Sequence, residues 1–277
     1  MMTIPKPEDA KHKNEMFRLL RELLSNALLS NELKFKGGTY AALAGYLDRF
    51  SVDLDFDLPD KSKKDEIRQL CYGIFSQLNL EIKDESNNHL EFFLKYDSRP
   101  NTRNTLKLEI NDDVSPNNGY EKVYLREINM YCNAHDVGTM FANKLVAARG
   151  RFVKNNKLSG RDFYDIHAFF LQALPINKEV VEERTGVGFT EYLALLVKLI
   201  EDEVNDEVLY SDLNPLLSSD KLSSVVKNLK PELLVMLNDE IVRVSSQSRS
   251  LSDIARNAQK HAAKKIDVNK VMEDIRR

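Results

Sequence analysis

The sequence predicts an α+β fold, with a strand-rich N-terminal part followed by an all-α C-terminal part. Two observations predict it. Residues 52–58 (VDLDFDL) alternate strictly, and further stretches of strand character fall at 80–84, 89–96 and 104–110, separated by turns rich in Asn, Ser and Pro. Beyond residue 136, apolar residues recur at helical spacing and no convincing strand remains. A break near 130–136 divides the 277 residues into expected domains at 1–133 and 134–277, each of ordinary size.

The elements follow in order. Over 8–30, Phe17, Leu20, Leu24, Ala27 and Leu28 line one helical face. Leu33–Lys36 alternates as a short strand, runs into Gly37-Gly38-Thr39, and a short helix is expected over 40–47. In the 52–58 strand, Val52, Leu54, Phe56 and Leu58 share one face, and Asp53, Asp55 and Asp57 share the other. A helix over 62–78, the strands at 80–84, 89–96 and 104–110, and a weaker strand at 122–128 complete the first part. Helices are expected at 137–154, 161–173, 177–184, 189–203, 219–228, 231–246 and 250–276, with breaks at Asn214-Pro215 and Lys230-Pro231.

Composition narrows the class. Forty basic against forty-three acidic residues give a net charge of −3, so the chain is not a uniformly basic nucleic-acid coat. Cys71 and Cys132 stand far apart and the five histidines show no ligand spacing, which argues against a zinc site or a disulfide framework. Reduced thiols, a polar N-terminus without a signal-peptide core and the lack of an ~18–20-residue apolar run point to a cytoplasmic protein without a membrane partner.

The chemistry concentrates in residues 35–57, FKGGTYAALAGYLDRFSVDLDFD. Glycines let the backbone turn tightly and let a ligand approach it closely. Thr39 is placed to cap the helix that follows, and backbone N–H groups at a helix start attract anions. One strand later, three carboxylates at i, i+2 and i+4 repel one another. A divalent cation relieves that repulsion, and Mg²⁺ is commonly held by one or two carboxylates together with substrate phosphates. Alone, the Asp alternation describes the wet face of an edge strand equally well, and Gly-Gly-Thr alone is most often a turn. The two in succession are more specific, and together they equip a site for two-metal phosphoryl or nucleotidyl transfer.

The segment Gly37-Gly38-Thr39 … Arg49-Phe50-Ser51-Val52-Asp53-Leu54-Asp55-Phe56 resembles the signature of AbiEii/AbiGii-type nucleotidyltransferase toxins, of the DNA polymerase β-like superfamily. The resemblance implies an N-terminal polymerase β-like nucleotidyltransferase domain, a mixed sheet with flanking helices, ahead of the helical domain. It implies Asp53 and Asp55 as catalytic metal-binding carboxylates, with a register shift to Asp55/Asp57 as the alternative. Gly37, Gly38, Thr39, Arg49 and Ser51 fall at the nucleotide. Thr105–Ile110 resembles the family's Lys-x-Glu-Ile strand, which makes Glu109 the third metal carboxylate. Equally, Lys107 and Glu109 are ordinary residues of a solvent face.

A second block, NKLVAARGRFVKNNKLSGRDFYDI (143–166), carries six basic residues and no acid from Lys144 to Arg161. Lys144, Ala147, Ala148 and Arg151 share a helical face. The block resembles the later family motifs, Lys-x-x-Ala-x-x-x-Arg and Arg-Asp-x-Tyr-Asp-Leu/Ile. This implies that Lys144 contacts nucleotide phosphates, with Arg151 beside it, and that Asp162 or Asp165 orients Lys144 or takes part in catalysis. The bland alternative is an Arg161–Asp165 surface pair on a solvated helix. His167, on an apolar helix side, reads as structural. The last 36 residues, Val242–Arg277, hold nine basic and four acidic side chains, a weak signal for RNA.

The expected function is that of the toxin of a type IV toxin–antitoxin system, linked to abortive phage infection. It would use two Mg²⁺ ions, or Mn²⁺, to transfer NMP from an NTP to tRNA or another RNA, with an antitoxin as protein partner. The alternatives are a non-catalytic nucleotide-binding or partner-binding module of the same fold, and transfer to a small-molecule or protein hydroxyl.

Overall fold

A computed structural model describes residues 2–99 and 102–274, with side chains up to residue 247. The basic excess of Val242–Arg277 therefore lies mostly outside the described side chains. The first expected helix is two, α1 (Asp9–Ser25) and α2 (Ala27–Glu32). Asn26 makes the break: its backbone is extended, and its side chain accepts the Leu29 N–H at 3.1 Å to cap α2. Then come β1 (Lys34–Lys36), α3 (Gly37–Leu43), β2 (Asp53–Asp57), α4 (Lys64–Gln77), β3 (Glu81–Glu85), β4 (Leu90–Lys95) and β5 (Thr105–Asn111). The single strand expected at 122–128 is a hairpin, β6 (Tyr120–Leu125) and β7 (Met130–His135), whose turn occupies the second half of that segment. The seven strands form one mixed sheet in the order β3-β4-β5-β2-β1-β7-β6.

Alternation gives the sheet two faces. Phe35, Leu54, Phe56, Leu106, Leu108, Ile110 and Ala134 are buried against α1 and α4, which contribute Met16, Leu19, Leu20, Leu23, Ile67 and Phe75. The opposite face carries the polar partners of these residues and holds the site.

From Asp136 onward the described chain is helical: α5 (Val137–Asn155), α6 (Gly160–Leu171), α7 (Lys178–Thr185), α8 (Phe189–Glu203), α9 (Asp206–Leu213) and α10 (Ser219–Asp274). Asp136 caps α5 by accepting the Thr139 N–H at 2.7 Å. Asn205 caps α9, a helix too short for its periodicity to stand out in the sequence. The break expected at Lys230-Pro231 does not occur, because α10 runs through Pro231. Pro231 is on the exposed side, while Leu222, Leu229, Leu233 and Leu237 are buried. At about 1.5–3 kcal/mol per buried leucine, that packing outweighs the ~3 kcal/mol a helical proline costs. No helix of the described residues is long and apolar enough to cross a membrane.

One buried group ties α1 to the strand that carries the site. His12 Nε2 lies 2.8 Å from the Val52 carbonyl, and Nδ1 lies 2.8 Å from the Tyr96 hydroxyl. Burial pushes the imidazole down to about 4. As pH falls from 6.5 toward 4, the unfolded chain takes up this proton before the folded one does, so stability falls with pH. Between pH 6.5 and 5 this amounts to about 2 kcal/mol. In urea titrations at those two pH values, His12→Gln is expected to lose correspondingly less stability than the parent chain.

Candidate active site

β2 is the centre of the site. The pleat puts Asp53, Asp55 and Asp57 on the polar face, and strand pairing sets their neighbours. Parallel β5 places Lys107 beside Asp53, Glu109 beside Asp55 and Asn111 beside Asp57. Antiparallel β1 places Lys36 beside Asp55. The glycine turn sits directly over this row. Gly37 adopts φ +77°, a left-handed conformation that favours glycine, and a Cβ there would fall on the Asp55 carboxylate. At Gly38 a Cβ would meet the Arg49 guanidinium and the Ser51 hydroxyl.

Gly37→Ala therefore strains the turn and displaces Asp55. With a reacting group misplaced by about 1 Å costing ~100-fold, the turnover rate of the purified variant is expected to fall about 100-fold.

Thr39 differs from expectation. The helix starts at Gly37, with Lys36 as its cap residue, so Thr39 lies inside the first turn and caps nothing. Its buried hydroxyl donates to the Asp53 carbonyl at 2.5 Å and sits 2.9 Å from the Ser51 hydroxyl. It fixes α3 to β2 and does not line the cleft.

The carboxylates are not equivalent. Asp53 and Asp55 face the cleft, and neither side chain makes a hydrogen bond or ion pair among the described residues. Burial, then the neighbouring charges of Asp53 and Glu109, push Asp55 up to about 6, and burial also raises Asp53. Glu109 accepts a bond from Lys107 at 2.6 Å, and Lys107 also lies 2.8 Å from Glu91. Among the described residues, no three His, Cys, Asp or Glu side chains form a ready-made metal group.

Asp57 is buried and accepts from His135 at 2.8 Å, Asn118 at 3.0 Å and Tyr120 at 3.1 Å, with the Lys36 ammonium at 2.5 Å. Although burial opposes it, these donors hold Asp57 down at about 2. The third aspartate of the alternating strand is thus an internal anchor that is already fully partnered.

The second sequence block meets the first through buried charge. Arg49 grips Asp165 with two bonds, Nε at 2.6 Å and Nη2 at 2.7 Å. Lys144, on α5, places its ammonium 3.0 Å from both Asp165 Oδ2 and Asp162 Oδ1. Arg151 Nε lies 3.1 Å from Asp162 Oδ2, out of line for a hydrogen bond, and that buried oxygen has no hydrogen-bond partner. The result is a ladder, Arg49–Asp165–Lys144–Asp162–Arg151. Opposite charges win over burial within it: Arg49 and Lys144 are raised and Asp165 is lowered. The Arg161–Asp165 pair does not form, since Asp165 is buried and taken by Arg49 and Lys144. His167 stays out of the cleft lining, and its partner is polar: Nε2 lies 2.7 Å from Glu232 of α10, a contact between two helices.

These two blocks line one cleft of about 490 Å³, with Gly37, Gly38, Asp53, Asp55, Lys144 and Arg151 among its walls. Lys36, Arg161 and Arg184 also line it and were not singled out from the sequence. Lys36 carried a signal, its alternation with Phe35 on β1. Arg161 carried one too, as the first residue of the Arg-Asp-x-Tyr-Asp motif, though it was weighed only as a surface partner of Asp165; Arg184 carried none beyond its charge.

A family model for the nucleotidyl transferase AbiEii toxin, type IV toxin–antitoxin system, matches residues 18–223. Among solved structures, the chain is similar to JHP933 from Helicobacter pylori, at 20% identity and a TM-score of 0.55, covering 90% of this chain and 98% of that one. It is also similar to a second H. pylori structure, of a protein assigned as a nucleotidyltransferase, at 20% identity and a TM-score of 0.57, covering 87% and 98%. MenT4, a nucleotidyltransferase toxin of Mycobacterium tuberculosis H37Rv, aligns at 16% identity and a TM-score of 0.46 over 82% and 84%. A comparison with curated proteins gave no match.

Proposed function

The chain belongs to the AbiEii nucleotidyltransferase toxin family of type IV toxin–antitoxin systems, and from that premise we propose that it transfers NMP from an NTP to an RNA hydroxyl, tRNA foremost. The observation that carries this reading is the Asp53–Asp55 pair, two cleft-facing carboxylates with no partner among the described residues, at the foot of a glycine turn. Unpaired like charges beside Glu109 suit a hard divalent cation. Asp53 and Asp55 would hold Mg²⁺, or Mn²⁺, and Glu109 would join them at the expense of its bond to Lys107. When bound, such ions supply Lewis-acid activation of the acceptor hydroxyl and charge neutralisation at the leaving pyrophosphate.

The remaining roles belong to the chain itself. The backbone at Gly37 and Gly38 lets the triphosphate approach the carboxylates, because no side chain intervenes. Lys144 has three N–H donors; one bonds Asp162, and Asp165 faces the ammonium as an ion pair, which leaves donor capacity for a phosphate oxygen. Asp162 and Asp165 act as positioning residues for that ammonium, and Arg49 fixes Asp165. Arg151 adds positive charge on the same wall, and Ser51 supports the turn through Thr39. An antitoxin is the protein partner this reading expects.

The test is incubation of the purified chain and Mg²⁺ with total tRNA and each α-labelled NTP in turn. The expected result is label on tRNA from one or a few of the four nucleotides. Label on a small molecule or a protein instead would replace the acceptor. No label on any acceptor, with NTP binding intact, would favour a non-catalytic nucleotide-binding module.

A further inference from the structure

The polar face of the sheet does not end at the cleft. Register along the outer hairpin pairs Tyr120 with His135, Lys122 with Asn133 and Tyr124 with Tyr131. Tyr120 and His135 both bond Asp57 at the cleft, so strand alternation puts Lys122, Tyr124, Tyr131 and Asn133 on the same face. There the face is open: Tyr124 is 43% exposed and Tyr131 59%. Their rings lie 5.0 Å apart, and the Lys122 ammonium sits 5.3 Å from the Tyr131 ring centre. Tyr131 is four residues from His135, which lines the cleft, a distance of about 13 Å at ~3.3 Å per residue.

The rings pack across the hairpin, and the Tyr124 hydroxyl donates to Asn129 in its turn, yet both rings keep an open face. The charge around them is one-sided. No acidic residue of the hairpin strands shares this face, because Glu121 pairs with Ala134 on the other one. Lys122 makes no ion pair among the described residues, and the one acid of the hairpin turn, Glu127, is taken by Lys13 and the Met2 amide. Exposed aromatic faces beside a cation that has no carboxylate partner are what unpaired nucleic-acid strands bind: bases stack on the rings and phosphate meets the cation.

We infer that the Tyr124–Tyr131–Lys122 face docks an unpaired RNA strand and leads its end past His135 into the cleft. The inference rests on the RNA-acceptor reading above and adds the surface that binds the acceptor. An unpaired strand fits better than a duplex, since two adjacent rings offer stacking to splayed bases.

The test separates docking from chemistry. A fluorescent single-stranded RNA of about ten nucleotides, within the usual range for a stacking platform, is titrated with the full chain carrying Asp53→Ala, so that binding is read without turnover. Adding Tyr124→Ala and Tyr131→Ala is expected to weaken binding about tenfold. Tyr131→Phe, which keeps the ring, restores most of it in the single-site comparison. In the Asp53-intact chain, the double Ala variant raises KM for RNA and leaves KM for NTP unchanged. Lys122→Ala lowers the salt dependence of binding.

Equal RNA binding by the double variant and its parent overturns the inference. So does the absence of RNA binding by the parent, whether or not nucleotide transfer to some acceptor is observed. A double variant that changes only self-association, seen by sedimentation, overturns it in favour of a second copy pairing on the β6 edge.

Discussion

Replacing Asp55 by Asn is expected to lower nucleotide transfer at least a thousandfold and to leave the metal-free protein more stable than the parent. The loss of rate follows from removing one of the two carboxylates proposed to hold the cation, where transition-state charge stabilisation worth ~4 kcal/mol corresponds to about a thousandfold. The gain in stability follows from the site's electrostatics. Asp55 bonds nothing among the described residues and titrates at about 6, because burial and the charges of Asp53 and Glu109 oppose its ionisation. The unfolded chain releases this proton near the ordinary carboxylate value and the folded chain later. Stability is therefore lost as pH rises from about 4 to 6, and the loss persists at neutral pH. Discounted for its opening to the cleft, the penalty is roughly 2 kcal/mol, and Asn removes it. Denaturant unfolding at pH 7 in chelator measures the gain, and a drop in stability on Asp55→Asn would show that the carboxylate serves the fold.

Asp165→Ala is expected to act in the opposite way, costing about 3–5 kcal/mol of stability. Asp165 is fully buried and is the sole carboxylate paired with Arg49 among the described residues, holding it by two bonds while also facing Lys144. Its removal strands the buried Arg49 guanidinium, and Lys144 keeps only Asp162. Set against a typical total of about 5–15 kcal/mol, that is a large fraction, readable as a fall in Tm or in the urea midpoint. Asp162→Ala should cost less stability, since Asp165 still neutralises Lys144 and Arg151 is half-exposed. Equal losses in the two variants would contradict the ladder as described.

The part of the fold that was legible in the sequence is the part where one interaction dominates. β2 was read correctly because its apolar and acidic residues alternate without exception, and the same alternation sets its two faces. The hairpin β6–β7 was not, because Met130–His135 (MYCNAH) has no β-branched residue and spends alternate positions on the polar face. Pro231 signalled a break that buried leucines on the other side of α10 override. The aspartate pair and the glycine turn were visible because they are local in sequence and follow one another in the order of the family motif, although each alone fits an edge strand or a plain turn. The Arg49–Asp165 clamp joins residues 116 apart, and no local pattern announces such a contact. Thr39 was placed at a helix cap because the positive φ of Gly37, which starts the helix early, cannot be read from residue type alone.

The central claim is that the Asp53–Asp55 cleft moves a nucleotidyl group. The most direct measurement compares NTP labelled at the α-phosphorus with the same NTP labelled at the γ-phosphorus, each incubated with RNA, Mg²⁺ and either the parent chain or Asp53→Ala. The account predicts that α-label enters RNA with the parent chain only, and that γ-label leaves as pyrophosphate. Transfer of γ-label to the RNA, or α-label transfer that survives Asp53→Ala, would contradict it.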